Sequence, residues 1–178
     1  EDTTNPWGKP VSDFAATLSD PDTGALKGIA VTEATGSNGI WQYTLDNGSS
    51  WQPMGEVSVS SARLLPADGN TVRVRFVPNP DFNGYVYFGY YGWDQTQGTV
   101  GALYDASVRG GTTAFSSSGS TVSQNVTALN DAPTALIASV SLTPVGEDTA
   151  NPAGDTVASL LGASFSDARD QVTGGSSA

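Results

Sequence analysis

The residues able to do chemistry in this chain are carboxylates and side-chain amides gathered in short loops. They are Glu1 and Asp2; Asp20 and Asp22; Asp81 with Asn83; Asp94; Asn130 and Asp131; Glu147 and Asp148; and Asp167 and Asp170. Calcium takes six to eight oxygen ligands from carboxylates, amide oxygens and backbone carbonyls. Loops of the Asp-x-Asp and Asn-Asp-x-Pro type supply several such oxygens at close quarters. Asp and Asn also favour turns for local reasons, so one such loop means little alone and the ordered set means more. The chain has 18 acids against 7 bases, a net charge of −11, and no cysteine or histidine. Disulfides and thiolate or imidazole sites for zinc or copper are therefore excluded. A nucleic-acid partner is not expected, because phosphate binding needs clustered Lys and Arg. Catalysis is not expected either, since the usual bases and nucleophiles are missing and nothing sets two carboxylates opposite each other.

The elements that must position these loops read as short strands. With 21 Gly, 10 Pro and 14% charged residues among 178, the composition is that of a turn-rich all-β protein. A short helical turn is expected around Val11–Leu18. Strands are expected over 26–33, 39–45, 57–65, 71–77, 85–93, 120–129 and, more briefly, 103–109. Trp41, Tyr43 and Leu45 share one face of their strand, and Asp46-Asn47-Gly48 is a hairpin turn signal. In 71–77 the alternation turns Val72, Val74 and Phe76 inward and Arg73 and Arg75 toward water. Residues 97–102 and 110–119 read as Gly/Ser/Thr-rich loops. About eight short strands with frequent turns predict a Greek-key β-sandwich. Most of Trp41, Tyr43, Trp51, Tyr85, Tyr87, Tyr90, Tyr91 and Trp93 are expected in its core, with Tyr85, Tyr87 and Tyr91 best placed for a surface patch. No apolar run approaches the roughly 20 residues that span a bilayer, and no signal peptide is present, so membrane insertion is not expected and any export signal is expected elsewhere.

The opening of the chain occurs twice. Glu1-Asp2-Thr3-Thr4-Asn5-Pro6 returns as Glu147-Asp148-Thr149-Ala150-Asn151-Pro152, an offset of 146 residues. Val11 falls on Val157 and Phe14 on Leu160. After a one-residue insertion, Ser19-Asp20-Pro21-Asp22 falls on Ser166-Asp167-Ala168-Arg169-Asp170. A repeat of this period means tandem domains. The expected division is a β-sandwich module over 1–132, lacking its own first strand, and a partial next repeat over 133–178. Asn130-Asp131-Ala132-Pro133 marks the boundary, and the second module's first strand is expected at about 135–145.

The ordered set of motifs resembles the cadherin-like repeats of large bacterial surface and RTX-type adhesins. The likeness rests on four features: the Asn130-Asp131-Ala132-Pro133 linker; Pro80-Asp81-Phe82-Asn83-Gly84 before an aromatic strand; Trp93-Asp94 ending that strand; and the paired Glu-Asp-Thr openings with Ser-Asp-(x)-Asp. The Gly39–Trp51 stretch is similar to a segment common in such repeats. The resemblance implies a calcium site at the linker held by Glu1, Asp81, Asn130, Asp131, Asp167 and Asp170. Asp20, Asp22 and Asp94 would face a preceding domain, and Glu147 would repeat the role of Glu1. The chain departs from the family where Phe82-Asn83 replaces a second acid and where Ala168-Arg169 separates the second Asp pair.

The function expected is therefore that of a calcium-stabilised spacer or adhesive repeat of a large extracellular or cell-surface bacterial protein. Its partners would be neighbouring repeats or identical subunits head to tail. One alternative is a filament subunit joined by donor-strand complementation through residues 135–145. Another is a carbohydrate-binding module that takes surface glycans on exposed tyrosines.

Overall fold

The computed structural model describes residues 1–34, 36–137, 139–162 and 164–166. Its elements in chain order are β1 (Lys9–Pro10), α1 (Val11–Ala15), β2 (Gly28–Ala34), β3 (Gly39–Thr44), β4 (Gln52–Pro53), β5 (Ala62–Pro66), β6 (Arg73–Pro78) and β7 (Gly84–Trp93). After these come β8 (Leu103–Tyr104), β9 (Phe115–Val126), β10 (Thr134–Ala135), α2 (Val157–Leu161) and β11 (Phe165–Ser166). Two antiparallel sheets, in the orders β1-β6-β3-β4 and β8-β5-β2-β7-β9, form an all-β sandwich. The chain passes from one sheet to the other between β1 and β2, β2 and β3, β4 and β5, β5 and β6, and β6 and β7, which is Greek-key winding. β10 and β11 form a separate two-stranded pair.

Side-chain alternation explains the core. Trp41, Tyr43, Val74 and Phe76 from one sheet meet Ile29, Val31, Leu65, Val86, Phe88 and Tyr90 from the other. The aromatics pack edge-on: Trp41 and Phe88 lie 5.0 Å apart at 71°, and α1 adds Phe14 at 5.2 Å from Phe88. β2 is buried on both faces, because Ala30 on its reverse side packs with Ala62, Leu64, Trp93 and Phe115. The expected turn after β3 is held by its own acid. Asp46 accepts bonds from Thr44 Oγ1 (2.6 Å), Ser50 N (2.8 Å) and Ser50 Oγ (2.6 Å). Asn47 and Gly48 take φ of 56° and 86°, which these residue types accept readily.

Four sequence expectations are corrected. Arg73 and Arg75 do not face water; they are 8% and 9% exposed. The segment before β1 lies across them. Arg73 donates to the carbonyls of Trp7 (3.3 Å) and Gly8 (3.0 Å). Arg75 donates to Asn5 Oδ1 (2.6 Å), Pro6 O (3.1 Å) and Gln42 Oε1 (2.8 Å). Each guanidinium also stacks on an indole, Arg73 on Trp7 at 5.0 Å and Arg75 on Trp51 at 3.9 Å. Gly8 permits this close approach, at φ 74° and where a Cβ would lie 2.6 Å from Val74 O. Burial pushes the Arg75 guanidinium below its ordinary pKa.

The second correction concerns 110–119. Residues from Phe115 onward are strand, not loop, because β9 pairs with β7 from Trp93–Phe115 to Gly84–Val126. Pairing with a long neighbour outweighs the low strand propensity of Ser116, Ser117, Ser118 and Gly119. Third, the strands expected over 57–65 and 103–109 shorten to Ala62–Pro66 and Leu103–Tyr104, with only a Ser58–Ser61 bridge before the former. Fourth, residues 135–145 are not a continuous strand. Among the described residues, Thr134 and Ala135 pair with Ser166 and Phe165, and Leu136 N adds a bond to Ser164 O at 2.6 Å. Thr143 instead gives its N–H and hydroxyl to Asp155, each at 2.6 Å.

Candidate metal centre

Strand ends set the site. β7 begins at Gly84, just after the Asp81-Phe82-Asn83 loop, and β9 ends at Val126, just before the linker. Both ends lie at the same pole of the sandwich because Gly84 pairs with Val126. The N-terminal segment joins them there. The nitrogen of Glu1 donates to Thr127 O at 2.8 Å, and Glu1 Oε1 accepts from Leu129 N at 2.8 Å. Glu1 Oε2 accepts from Asn83 Nδ2 at 3.2 Å, and Asp2 Oδ1 accepts from Asp81 N at 3.1 Å.

These ties gather three carboxylates. Glu1, Asp2 and Asp131 each offer an oxygen within 4.8 Å of the others, with Asp2 exposed and the other two half-buried. Asp2 and Asp81 both sit at positive φ, 57° and 63°, a conformation that Asp tolerates better than most residues. Asn130, next to Asp131, turns its amide onto the Asp131 carbonyl at 2.8 Å. The donor set is all oxygen, which suits a hard divalent cation and not a soft one. The hydrogen bonds from Leu129, Asn83 and Asp81 fix the carboxylates as outer partners of a metal site do.

Of the residues expected from sequence, Glu1 and Asp131 come together, while Asp81 enters through its backbone and Asn130 flanks the group. Asp167 and Asp170 lie outside the described residues. Glu147 is exposed in a turn closed by Thr149 N to Gly146 O at 3.2 Å. Asp20 and Asp94 line one cavity of about 250 Å³ at the other pole, together with Lys27. Asp20 Oδ1 accepts Asp22 N at 2.9 Å, and Asp94 Oδ1 accepts Thr96 N at 2.8 Å, so these acids hold their own turns. Asp81 and Asp94 bracket the ten residues of β7, so the two poles stand about 30 Å apart.

Two participants, Asp2 and Asn83, were read from sequence as members of oxygen-rich loops but not as part of the linker site. Asp2 follows Glu1 directly, and its adjacency in the repeated Glu-Asp-Thr opening was the available signal. Asn83 is 3% exposed with its amide on Glu1. It holds the Glu1 carboxylate in place.

The aromatic residues divide largely as expected. Trp41, Tyr43, Tyr90 and Trp93 are buried, while Tyr85 and Tyr87 are exposed. Tyr91 is half-buried beneath Arg109, whose guanidinium lies 4.4 Å from the ring centre. No family model matches this chain, and neither a curated protein nor a solved structure matches it.

Proposed function

We propose that this chain is part of a tandem array of cadherin-like repeats in an extracellular bacterial surface protein, and that calcium at the linker stiffens the joint between repeats. The observation that carries the reading is the convergence of Glu1, Asp2 and Asp131 within 4.8 Å, from opposite ends of one module and next to the Asn130–Pro133 linker. Carboxylates so placed repel one another, and a divalent cation cancels that repulsion. Three carboxylates fall short of calcium's six to eight oxygens. Asp81, Asn130, nearby carbonyls and the following repeat's acids would supply the remainder, so the site would join two repeats. A hinge at the linker would then become rigid when metal binds.

The test is thermal unfolding of the chain in calcium and in chelator at matched ionic strength. A ligand at about 100 times its dissociation constant stabilises the folded state by about 2.7 kcal/mol. For a module of this size that raises the melting temperature by several degrees. An unchanged melting temperature at millimolar calcium would sink the proposal.

A further inference from the structure

The five-stranded sheet is covered unevenly on the side away from the main core. Toward the C-terminal end of β7, Tyr104, Ala106, Ala114 and Phe115 pack over it against Ala30, Ala62, Leu64 and Trp93. The other end of the face is open. There the alternation of β7 turns Val86, Phe88 and Tyr90 into the core and leaves Tyr85 and Tyr87 outside, 63% and 44% exposed. Two side chains so placed on one strand face stand about 7 Å apart.

The strand beside them is suited to hydrogen bonding, not to burial. Asn125, Ser123 and Thr121 of β9 lie directly opposite Tyr85, Tyr87 and Gly89, and all three are exposed. Cross-strand partners stand about 5 Å apart, so each amide or hydroxyl sits close to the rim of a ring. The sequence of β9 carries no charged residue. On the other side of β7, Glu33 is paired with Gly89 and exposed. A Cβ on that glycine would lie 3.4 Å from Glu33 Oε2, so the missing side chain leaves a notch bordered by an acid. Beyond the notch Tyr91 lies against Gly119 and under Arg109, which closes the platform at that end.

This composition selects a class of ligand. The buried centre of a protein interface is apolar and poor in Ser and Glu, whereas here Thr, Ser, Asn and Glu stand beside the rings. A sugar ring has an apolar C–H face that can stack and a rim of hydroxyls that must be bonded. Tyrosine beside Ser, Thr and Asn offers the complement of both. Charge narrows the class further. Arg109 donates to Ala106 O at 3.2 Å and stacks on Tyr91, Glu33 borders the notch, and the chain carries a net charge of −11, so an anionic sugar is repelled.

We infer that this open half of the sheet face is a binding site for a neutral polysaccharide, whose rings stack on Tyr85 and Tyr87 while their hydroxyls bond to Thr121, Ser123, Asn125 and Glu33. The site uses none of the carboxylates at the Glu1–Asp131 pole, so it does not depend on calcium there.

The experiment titrates the full chain, in chelator, with the neutral hexasaccharides of β-linked glucose, xylose, mannose and galactose, and with hexagalacturonic acid as the anionic counterpart. Backbone amide shifts in NMR spectra map the contact. The expected result is saturable shifts over 85–88 and 121–125 with at least one neutral hexasaccharide and none with the uronate. Tyr85→Ala together with Tyr87→Ala should weaken binding at least about tenfold. Tyr85→Phe together with Tyr87→Phe should keep most of it, because the ring face makes the stack. Both tyrosines are exposed, so the sandwich survives either pair of changes, and amide shifts away from this face check that it does. No saturable shift with any neutral hexasaccharide at millimolar concentration overturns the inference. So does undiminished binding by the double alanine variant, or a preference for the uronate. Shifts at the same residues that grow with chain concentration in the absence of sugar would assign the face to a second copy and overturn it as well.

Discussion

Val11 and Val157 hold the same place in the repeat, and each begins a five-residue helix, α1 or α2. The likeness ends there. Val11 is 0% exposed and Val157 is 71% exposed. The strand that precedes α1, Lys9–Pro10, pairs with β6, whereas Asp155 and Thr156 before α2 are in no strand. Asn5 is bonded to Arg75, and its counterpart Asn151 is exposed. Glu1 is held by Thr127, Leu129 and Asn83, and Glu147 sits in an open turn. The helix recurs because its hydrogen bonds close within a few residues, and in α2 Thr156 caps it by accepting from Ser159 N at 3.0 Å. In the first copy the strand and the acid ties draw on partners some 65 to 128 residues away.

Paired substitutions at equivalent positions measure this difference directly. The largest contrast is expected for Val11→Asp against Val157→Asp. The first puts a carboxylate into the core and should lower stability by about 3 kcal/mol or more, while the second should stay within about 0.5 kcal/mol. Urea unfolding monitored by tryptophan fluorescence reads both. Next is Glu1→Gln against Glu147→Gln in calcium. The melting shift of about 2.7 kcal/mol expected for the intact chain at 100 times the dissociation constant should collapse in the first and persist in the second. Equal loss from both would mean that the two copies bind alike and would break the comparison.

Smaller is Asn5→Ala against Asn151→Ala, expected to cost about 1.5 kcal/mol and nothing measurable respectively, because only Asn5 accepts from a buried guanidinium. Chemical unfolding of the two variants side by side decides it.

The smallest effect is a pH dependence that sharpens the contrast between local and distant ties. Hydrogen bonds from Ser50 and Thr44 hold the Asp46 carboxyl down at about 2. Its folded value is thus below its unfolded one, so its stabilisation is complete above about pH 4 and is lost as pH falls toward 2. The melting-temperature gap between the chain and Asp46→Asn should be constant at neutral pH and narrow over that interval. A gap that stays open at pH 2 would remove the role given to Asp46.

Legibility in the sequence followed the same division between near and far. The all-β sandwich, the Asp46-Asn47-Gly48 turn, α1 and the inward set Val72, Val74 and Phe76 could all be read, because alternation and turn chemistry are local. The burial of Arg73 and Arg75 could not, since their cover comes from residues 5–8. Ser116 to Gly119 read as loop because their strand character comes from β7. At the site, Glu1 and Asp131 were named through resemblance. Asp2 and Asn83 were not, because what makes them participants is a contact across some 80 residues.

The buried arginines also set how the protein meets salt. The named partners of Arg73 and Arg75 are carbonyls, amide oxygens and indole faces, all neutral, and the two arginines are themselves buried. Dissolved ions screen exposed charges within a Debye length of about 8 Å at physiological ionic strength and barely reach such contacts. The acid-rich pole has the opposite character, since screening weakens the repulsion among its carboxylates. Brine and fresh water would therefore leave the strapped face of the sandwich the same and act on the acid-rich pole.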